Sequence, residues 1–206
     1  MPVSEQLYPV GLVVAGKHCV VIGGGSVAAR KVAGLVESGA VVTVVAPSMC
    51  REVAEMPVMR VVRPYEAGDL EGAWLAIVAT DDPAVNRRVY ADAEAARVWV
   101  NAADDPVACS FTLPAVLRRG PVTVAVSTGG HSPALAGWLR AKIGTQIGSE
   151  VADLAVLLSE VRDEFKAAGR STEEVDWRPA LDSDMLELIK AGQVSQARER
   201  LKACLS

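Results

Sequence analysis

Short apolar runs recur along the first half of the chain, and segments with helical spacing separate several of them. The runs at residues 19–22, 41–46, 58–62, 74–79 and 98–102 predict five strands. Helical spacing covers residues 27–37, and a second helix is predicted to run to about residue 96, with Asp82 as its N-cap and Pro83 in its first turn. Mostly apolar strands that alternate with helices predict an α/β fold with a parallel sheet covered on both faces.

The pattern changes after residue 105. Residues 109–113 and 121–127 predict two further strands, and the segment that follows them is helical almost throughout. The predicted helices cover residues 132–147, 149–169, 185–191 and 195–204, with a polar connection at 170–179. One face of the second of these helices is predicted to consist of Val151, Leu154, Ala155, Leu158 and Val161. The approximate domain boundaries that follow are 1–113, 114–147 and 148–206.

Composition narrows the class of protein. Half of the 206 residues are hydrophobic and 22% are charged, which excludes global disorder. The net charge of −4 argues against a general nucleic-acid binder. No apolar stretch reaches the roughly 18 residues that a membrane span needs, and the first residues lack the pattern of a signal peptide. We therefore expect a cytoplasmic protein with no membrane or nucleic-acid partner.

The four cysteines, Cys19, Cys50, Cys109 and Cys204, are scattered along the chain. With only two histidines to join them, they do not form a zinc site of the usual spacing, and no metal site is predicted. Scattered cysteines of this kind are typically small apolar core residues.

A glycine-rich turn lies between the first predicted strand and the first predicted helix. Gly23, Gly25 and Ala28 fit the dinucleotide fingerprint, in which the first glycine permits a tight turn, the second admits a pyrophosphate and the third small residue lets the helix pack on the strand. A packing turn without a ligand is the alternative. The intervening residues of this turn are Gly24, Ser26 and Val27.

The usual carboxylate for the ribose is missing, because no Asp or Glu lies between Glu37 and Glu52. Pro47 and Ser48 occupy the end of the second strand, and the Ser48 hydroxyl is the predicted ribose ligand. Arg51 would suit a 2′-phosphate, so the residues alone leave NAD and NADP open. Thr80 follows the fourth strand and is predicted to face the cofactor.

Asp104 follows the fifth strand, at the end of the sheet where a substrate should meet the nicotinamide. It is either a proton-transfer group or an ordinary turn residue before Pro106. Residues 106–149 then contain no acid but four cations, Arg118, Arg119, Arg140 and Lys142. This segment predicts either a surface for an anionic small molecule or a subunit interface. A turn is predicted directly after Ser127, and Ser127, Thr128 and Gly129 would either add hydroxyl and N–H donors to such a surface or belong to a simple turn.

Taken together, these motifs resemble the precorrin-2 dehydrogenase / sirohydrochlorin ferrochelatase family, which also forms the N-terminal part of siroheme synthases. The matching segments are residues 21–31, 74–86, 100–106, 110–114 and 126–133, in the family's order and spacing.

The resemblance implies an NAD-binding Rossmann domain, a small α+β dimerisation segment and a helical C-terminal domain over the substrate cleft. It also implies NAD-dependent oxidation of precorrin-2 to sirohydrochlorin by a homodimer, and in bifunctional members insertion of Fe²⁺ at the same site. The essential aspartate of the family falls on Asp104. The NAD contacts of the family fall on the glycine turn, including Gly24, Ser26 and Val27, and on Pro47 and Ser48 at the end of the second strand. Members of the family lack the acidic ribose ligand, so under the resemblance the gap favours NAD.

Two alternatives remain at this point. A monofunctional dehydrogenase with a separate chelatase would carry the same Asp104. An NAD-sensing regulatory module would need no substrate pocket, and the acid-free cationic segment argues against it.

Overall fold

The computed structural model describes residues 7–102, 109–171 and 175–205. The described chain falls into two compact units, one built from residues up to Leu113 together with Gly129–Ser132, the other from Pro114–Thr128 with the chain from Pro133 onward. The subdivision predicted at 1–113, 114–147 and 148–206 stays a prediction.

The first unit is a five-stranded parallel sheet with the strand order β3-β2-β1-β4-β5. Its strands are β1 (His18–Ile22), β2 (Val41–Val45), β3 (Met59–Val61), β4 (Leu75–Val78) and β5 (Trp99–Ala102). Its helices are α1 (Ser26–Glu37), α2 (Arg51–Ala54) and α3 (Pro83–Ala96), with a short 3-10 helix at Ala67–Leu70. The order of the strands places the carboxyl ends of β1, β2 and β4 side by side, and this arrangement confirms the predicted Rossmann-type sheet.

Both faces of the sheet are covered, which explains why its strands read as continuous apolar runs. Val20 and Ile22 of β1 pack with residues of α3 on one face, whereas Cys19 and Val21 pack with α1 on the other. Burial raises the pKa of the Cys19 thiol to about 11, so this cysteine is the apolar core residue that was predicted.

The second unit begins with an antiparallel hairpin of β6 (Ala115–Arg119) and β7 (Val122–Val126), followed by α4 (Pro133–Gly144). Its remaining helices are α5 (Glu150–Ala167), α6 (Arg178–Leu181), α7 (Met185–Lys190) and α8 (Val194–Cys204). The predicted face of α5 is confirmed in part: Val161 is buried, and Leu154 and Leu158 pack partly against the same core. The other two buried residues, Leu157 and Phe165, were not predicted.

No helix in the described ranges is both long and apolar enough to span a bilayer.

Candidate functional site

The glycine turn is held between two loops at the carboxyl ends of neighbouring strands. Gly23 has a φ of +126°, which favours glycine, and a side chain there would overlap the carbonyl oxygen of Ala79 after β4. A side chain at Gly24 would overlap the carbonyl of Ser48 after β2. The backbone of the protein itself therefore explains the first two glycines.

Gly25 has a different environment. Its φ is −84°, it is the exposed N-cap of α1, and a Cβ added to it would meet no atom within 4 Å. The first turn of α1 contains no acidic residue and receives no side-chain cap, so no side chain of the helix end satisfies the N–H groups that every helix leaves unpaired there. Nothing in the chain's own packing requires glycine at this position, and the opening suits the pyrophosphate of a dinucleotide.

Ala28 lies one turn into α1 and is fully buried against the sheet. Ser26 is exposed and Val27 is half-buried at the same helix end. Ala28 thus has the close helix packing that the fingerprint assigns to it, whereas contact of Ser26 and Val27 with a cofactor stays a prediction.

Pro47 and Ser48 are exposed directly after β2. The Cys50 N–H, two residues on, donates a hydrogen bond of 2.7 Å to the Gly24 carbonyl. The loop that follows β2 is thereby fixed against the glycine turn, where an adenine ribose would be expected. Binding of the ribose by Ser48 stays a prediction.

The Thr80 hydroxyl already forms hydrogen bonds within the protein, which the sequence did not predict. It donates to Asn86 Oδ1 at 2.8 Å and accepts from the Asp82 N–H at 3.1 Å, while the Asn86 amide donates back to the Thr80 carbonyl at 3.2 Å. Because its proton already has an acceptor, Thr80 can offer a dinucleotide a lone pair but not a donor. Asp82 caps α3 by accepting from the Ala84 N–H, as predicted.

Asp104, the predicted catalytic residue, lies outside the described residues. The residues on both sides of the segment that contains Asp104 are described. Cys109 and Ser110, which follow it, form hydrogen bonds with β5, which precedes it. Ser110 Oγ accepts from the Val100 N–H at 2.7 Å, and the Cys109 sulfur accepts from the Ala102 N–H at 3.2 Å. The buried Asn101 side chain donates to the Phe111 carbonyl at 2.9 Å.

These contacts correct two predictions. The strand expected at residues 109–113 is absent: Cys109 and Ser110 bind β5 through side-chain hydrogen bonds as well as the backbone bond from the Ser110 N–H to the Val100 carbonyl. Cys109 is also more than an apolar filler, since its thiol donates to the Ala102 carbonyl at 3.3 Å. The alternation of polar and apolar residues gave no signal for bonds of this type.

The predicted substrate cations lie on the hairpin of the second unit. Arg118 and Arg119 are consecutive in β6, so their side chains leave opposite faces of the strand. Arg119 Nε donates to the Ile147 carbonyl at 3.2 Å, which anchors the end of the α4 segment. Arg118 is exposed and is the better candidate of the two for contacting an anion.

Ser127 and Thr128 follow β7, and the chain then turns through Gly129 with a φ of +59° and Gly130 with a φ of +81°. The turn predicted there is confirmed, whereas its contact with a substrate stays a prediction. Among the described residues, no group of three His, Cys, Asp or Glu side chains is placed to hold a metal ion.

Comparison with known protein families adds to this geometry. Residues 10–115 match the family described as putative NAD(P)-binding, and residues 119–146 match the central domain of sirohaem biosynthesis proteins. The first match contains the whole parallel sheet, and the second contains α4, β7 and the last residue of β6.

The chain is also similar to individual proteins. It is 38% identical to the siroheme synthase of Nitrosococcus oceani over 97% of its own length and 44% of that protein. It is 39% identical to the siroheme synthase of Nitrosospira multiformis over 94% of its length and 43% of that protein. It therefore spans less than half the length of these relatives.

A solved structure of SirC, a precorrin-2 dehydrogenase, matches with a TM-score of 0.72 and 26% identity. The match covers 96% of this chain and 98% of the other. The likeness thus extends through the hairpin and the C-terminal helices.

Proposed function

The chain belongs to the putative NAD(P)-binding family, and its residues 119–146 match the central domain of sirohaem biosynthesis proteins. On this premise we propose that it oxidises precorrin-2 to sirohydrochlorin with NAD. The observation that carries the proposal is the match to a precorrin-2 dehydrogenase over nearly the full length of both chains. The similarity to siroheme synthases supports the same step.

The residues of the first unit suit the cofactor. The N–H groups at the start of α1 would hold the pyrophosphate, Ser48 would contact the ribose, and Thr80 would accept a hydrogen bond. When bound, the cofactor supplies a nicotinamide ring that accepts hydride from the substrate. Oxidation also releases a proton, and in this proposal the Asp104 carboxylate accepts it.

The cations of the second unit suit the substrate, which is a macrocycle bearing many carboxylates. Arg118, Arg140 and Lys142 are exposed in a segment without acidic residues. Their charge would attract the macrocycle and offset its negative charge once it is bound.

The assay that tests the proposal supplies purified protein with precorrin-2 and NAD⁺. We expect sirohydrochlorin and NADH to appear in equal amounts, because each hydride removed reduces one cofactor. If NAD⁺ binds but no precorrin-2 is consumed, the enzymatic proposal is wrong and a nucleotide-sensing role takes its place.

The similarity to siroheme synthases favours a second activity, insertion of Fe²⁺ into sirohydrochlorin. The macrocycle supplies its own nitrogens to the metal, so the chain would only need to accept the protons that leave those nitrogens. Adding Fe²⁺ or Co²⁺ to the assay tests this directly: metallated product supports a bifunctional enzyme, and unmetallated sirohydrochlorin shows a monofunctional dehydrogenase.

We also propose a homodimer formed through the hairpin and α4. From Pro114 to Ile147, all of which the structure describes, Ala136 is the only buried residue. Leu135 and Trp138 of α4 are 47% and 57% exposed although the helix is mostly apolar. A two-stranded hairpin needs further apolar packing to be stable, and a second copy of the chain would provide it.

A Trp138→Glu variant is therefore expected to sediment as a monomer, whereas the wild type sediments at twice the mass of one chain. The matched control is Trp99→Glu on β5, where the tryptophan is 53% exposed and lies on the first unit. Sedimentation velocity distinguishes the two species. Dimers in both variants, or a monomeric wild type, would contradict the proposed interface.

A further inference from the structure

The Asn86 side chain holds Thr80 directly beside the glycine turn. The Ala79 N–H donates to the Ile22 carbonyl at 2.8 Å, and the Ala79 carbonyl fills the space that a side chain at Gly23 would need. Thr80 is the next residue, just past the carboxyl end of β4. A dinucleotide bound across the point where the strand order reverses would place its second half, beyond the pyrophosphate, over this end of β4.

Two opposed hydrogen bonds join Asn86 to Thr80. The Asn86 amide nitrogen donates to the Thr80 carbonyl at 3.2 Å, and the amide oxygen accepts from the Thr80 hydroxyl at 2.8 Å. Because a carbonyl oxygen can only accept, the NH₂ end of the amide has to face it, which leaves the oxygen end for the hydroxyl. The orientation of the amide is thereby fixed, and with it the direction of the Thr80 proton.

The Asp82 backbone completes the contacts of the Thr80 hydroxyl among the described residues. Its N–H donates to Thr80 Oγ1 at 3.1 Å. Its carbonyl is a more distant acceptor at 3.4 Å, and it already receives the Asn86 N–H at 3.0 Å. A hydroxyl has one proton and two lone pairs, so one lone pair is left for a ligand. Thr80 is only half-buried, as a residue that contacts a ligand has to be.

This hydroxyl suits a hydrogen-bond donor and not a phosphate. A phosphate oxygen needs N–H or O–H donors, and the Thr80 proton is already used. The exposed carboxylates of Asp81 and Asp82 follow directly and would repel an anion. The Asp82 carboxylate also accepts from the Ala84 and Val85 N–H groups at 2.8 and 3.4 Å, so the start of α3 has its own anion, unlike the start of α1.

We propose that Asn86 is a positioning residue: by taking the Thr80 proton, it holds the Thr80 hydroxyl as an acceptor for a donor group on the nicotinamide half of the cofactor. That half offers two kinds of donor, the ribose hydroxyls and the carboxamide NH₂. The inference rests on the proposed use of NAD at the glycine turn and names a contact on the far side of the pyrophosphate. Asn86 itself does not touch the cofactor.

The experiment measures binding of NAD⁺, ADP-ribose and ADP by titration calorimetry, without substrate. Thr80→Val removes the hydroxyl with little change in shape, and Asn86→Ala removes the group that orients it. We expect NAD⁺ to bind about fivefold more weakly to Thr80→Val and about threefold more weakly to Asn86→Ala, with ADP binding unchanged in both. Because both changes break the same contact, the double variant should bind NAD⁺ no more weakly than Thr80→Val does.

Two control variants separate positioning from a structural role. Thr80→Ser keeps the hydroxyl and should keep the wild-type affinity for NAD⁺. Arg87→Ala removes the exposed side chain next to Asn86 on α3 and should change none of the three affinities. ADP-ribose then identifies the donor: weaker binding of both ADP-ribose and NAD⁺ to Thr80→Val assigns a ribose hydroxyl, and a loss confined to NAD⁺ assigns the carboxamide.

Other outcomes would separate the inference from the proposed function. Unchanged NAD⁺ affinity in a folded Thr80→Val protein would overturn the inference and leave the proposed cofactor standing. Equal losses of ADP and NAD⁺ affinity in Asn86→Ala would also overturn it, because they would show that Asn86 only supports the fold of the site. A wild type that binds none of the three ligands would overturn the proposed cofactor and the inference with it.

Discussion

A Gly25→Asp variant is expected to fold at least as stably as the wild type and yet to lose dinucleotide binding. Gly25 is the N-cap of α1 with a φ of −84°, and a Cβ there meets no atom within 4 Å. Aspartate is a preferred N-cap residue, because its carboxylate accepts from the first-turn N–H groups and interacts favourably with the helix dipole. We expect a gain of about 0.5 kcal/mol in the free energy of unfolding.

The same carboxylate would occupy the opening that suits a pyrophosphate and would use the N–H donors that should hold it. Loss of these donors together with direct repulsion is expected to weaken binding of NAD⁺ by at least about a hundredfold. Thermal unfolding and calorimetric titration measure the two effects on one sample. A rise in stability with loss of binding would distinguish a ligand site from a packing turn.

Gly24→Ala is the matched control, because the methyl group would overlap the Ser48 carbonyl and the variant should unfold more easily. Unchanged NAD⁺ affinity in a well-folded Gly25→Asp protein would show that the turn does not hold the pyrophosphate.

The parallel sheet was predicted well because strands that are buried on both faces consist of continuous runs of apolar residues. Every residue from Cys19 to Ile22 is buried, and so is every residue of β4, so both strands appear as unbroken apolar runs. The start of α3 was equally predictable, since the Asp82 cap depends on local chemistry alone.

The hairpin was harder to predict because its strands are only partly buried. β6 was not predicted, because its apolar run is only three residues long before Arg118 and Arg119, and no residue of the strand is fully buried. The buried side of α5 was predicted only in part for a related reason: the helix is apolar on more than one side, so Leu157 and Phe165 were missed while Val161 was identified. Tertiary packing decided both features.

The fingerprint correctly placed the glycine turn between β1 and α1, and binding of a cofactor by its residues stays a prediction. The resemblance to precorrin-2 dehydrogenases is confirmed by the family and structure matches. It could not show that the first two glycines are required by the Ala79 and Ser48 carbonyls while Gly25 is not. Nor could it show that the Thr80 proton is already donated to Asn86, because that depends on a side-chain rotamer.

An Asp104→Ala variant is expected to lose most turnover of precorrin-2 while binding NAD⁺ as the wild type does. Oxidation to sirohydrochlorin removes a hydride and a proton, and only the proton requires a base from the chain. Loss of a positioned general base typically lowers a rate by about a hundredfold to ten-thousandfold. The dinucleotide contacts proposed at Gly25 and Ser48 do not involve this side chain, so the affinity for NAD⁺ should not change.

The sequence offers a close control in the adjacent carboxylate, Asp105. Asp105→Ala removes the same charge from the same segment, so a loss caused by changed charge or a disturbed loop would appear in both variants. We expect single-turnover rates to fall only in Asp104→Ala. Full turnover in Asp104→Ala would show that Asp104 is not the base. Loss of turnover confined to Asp105→Ala would show that Asp105 is the base instead.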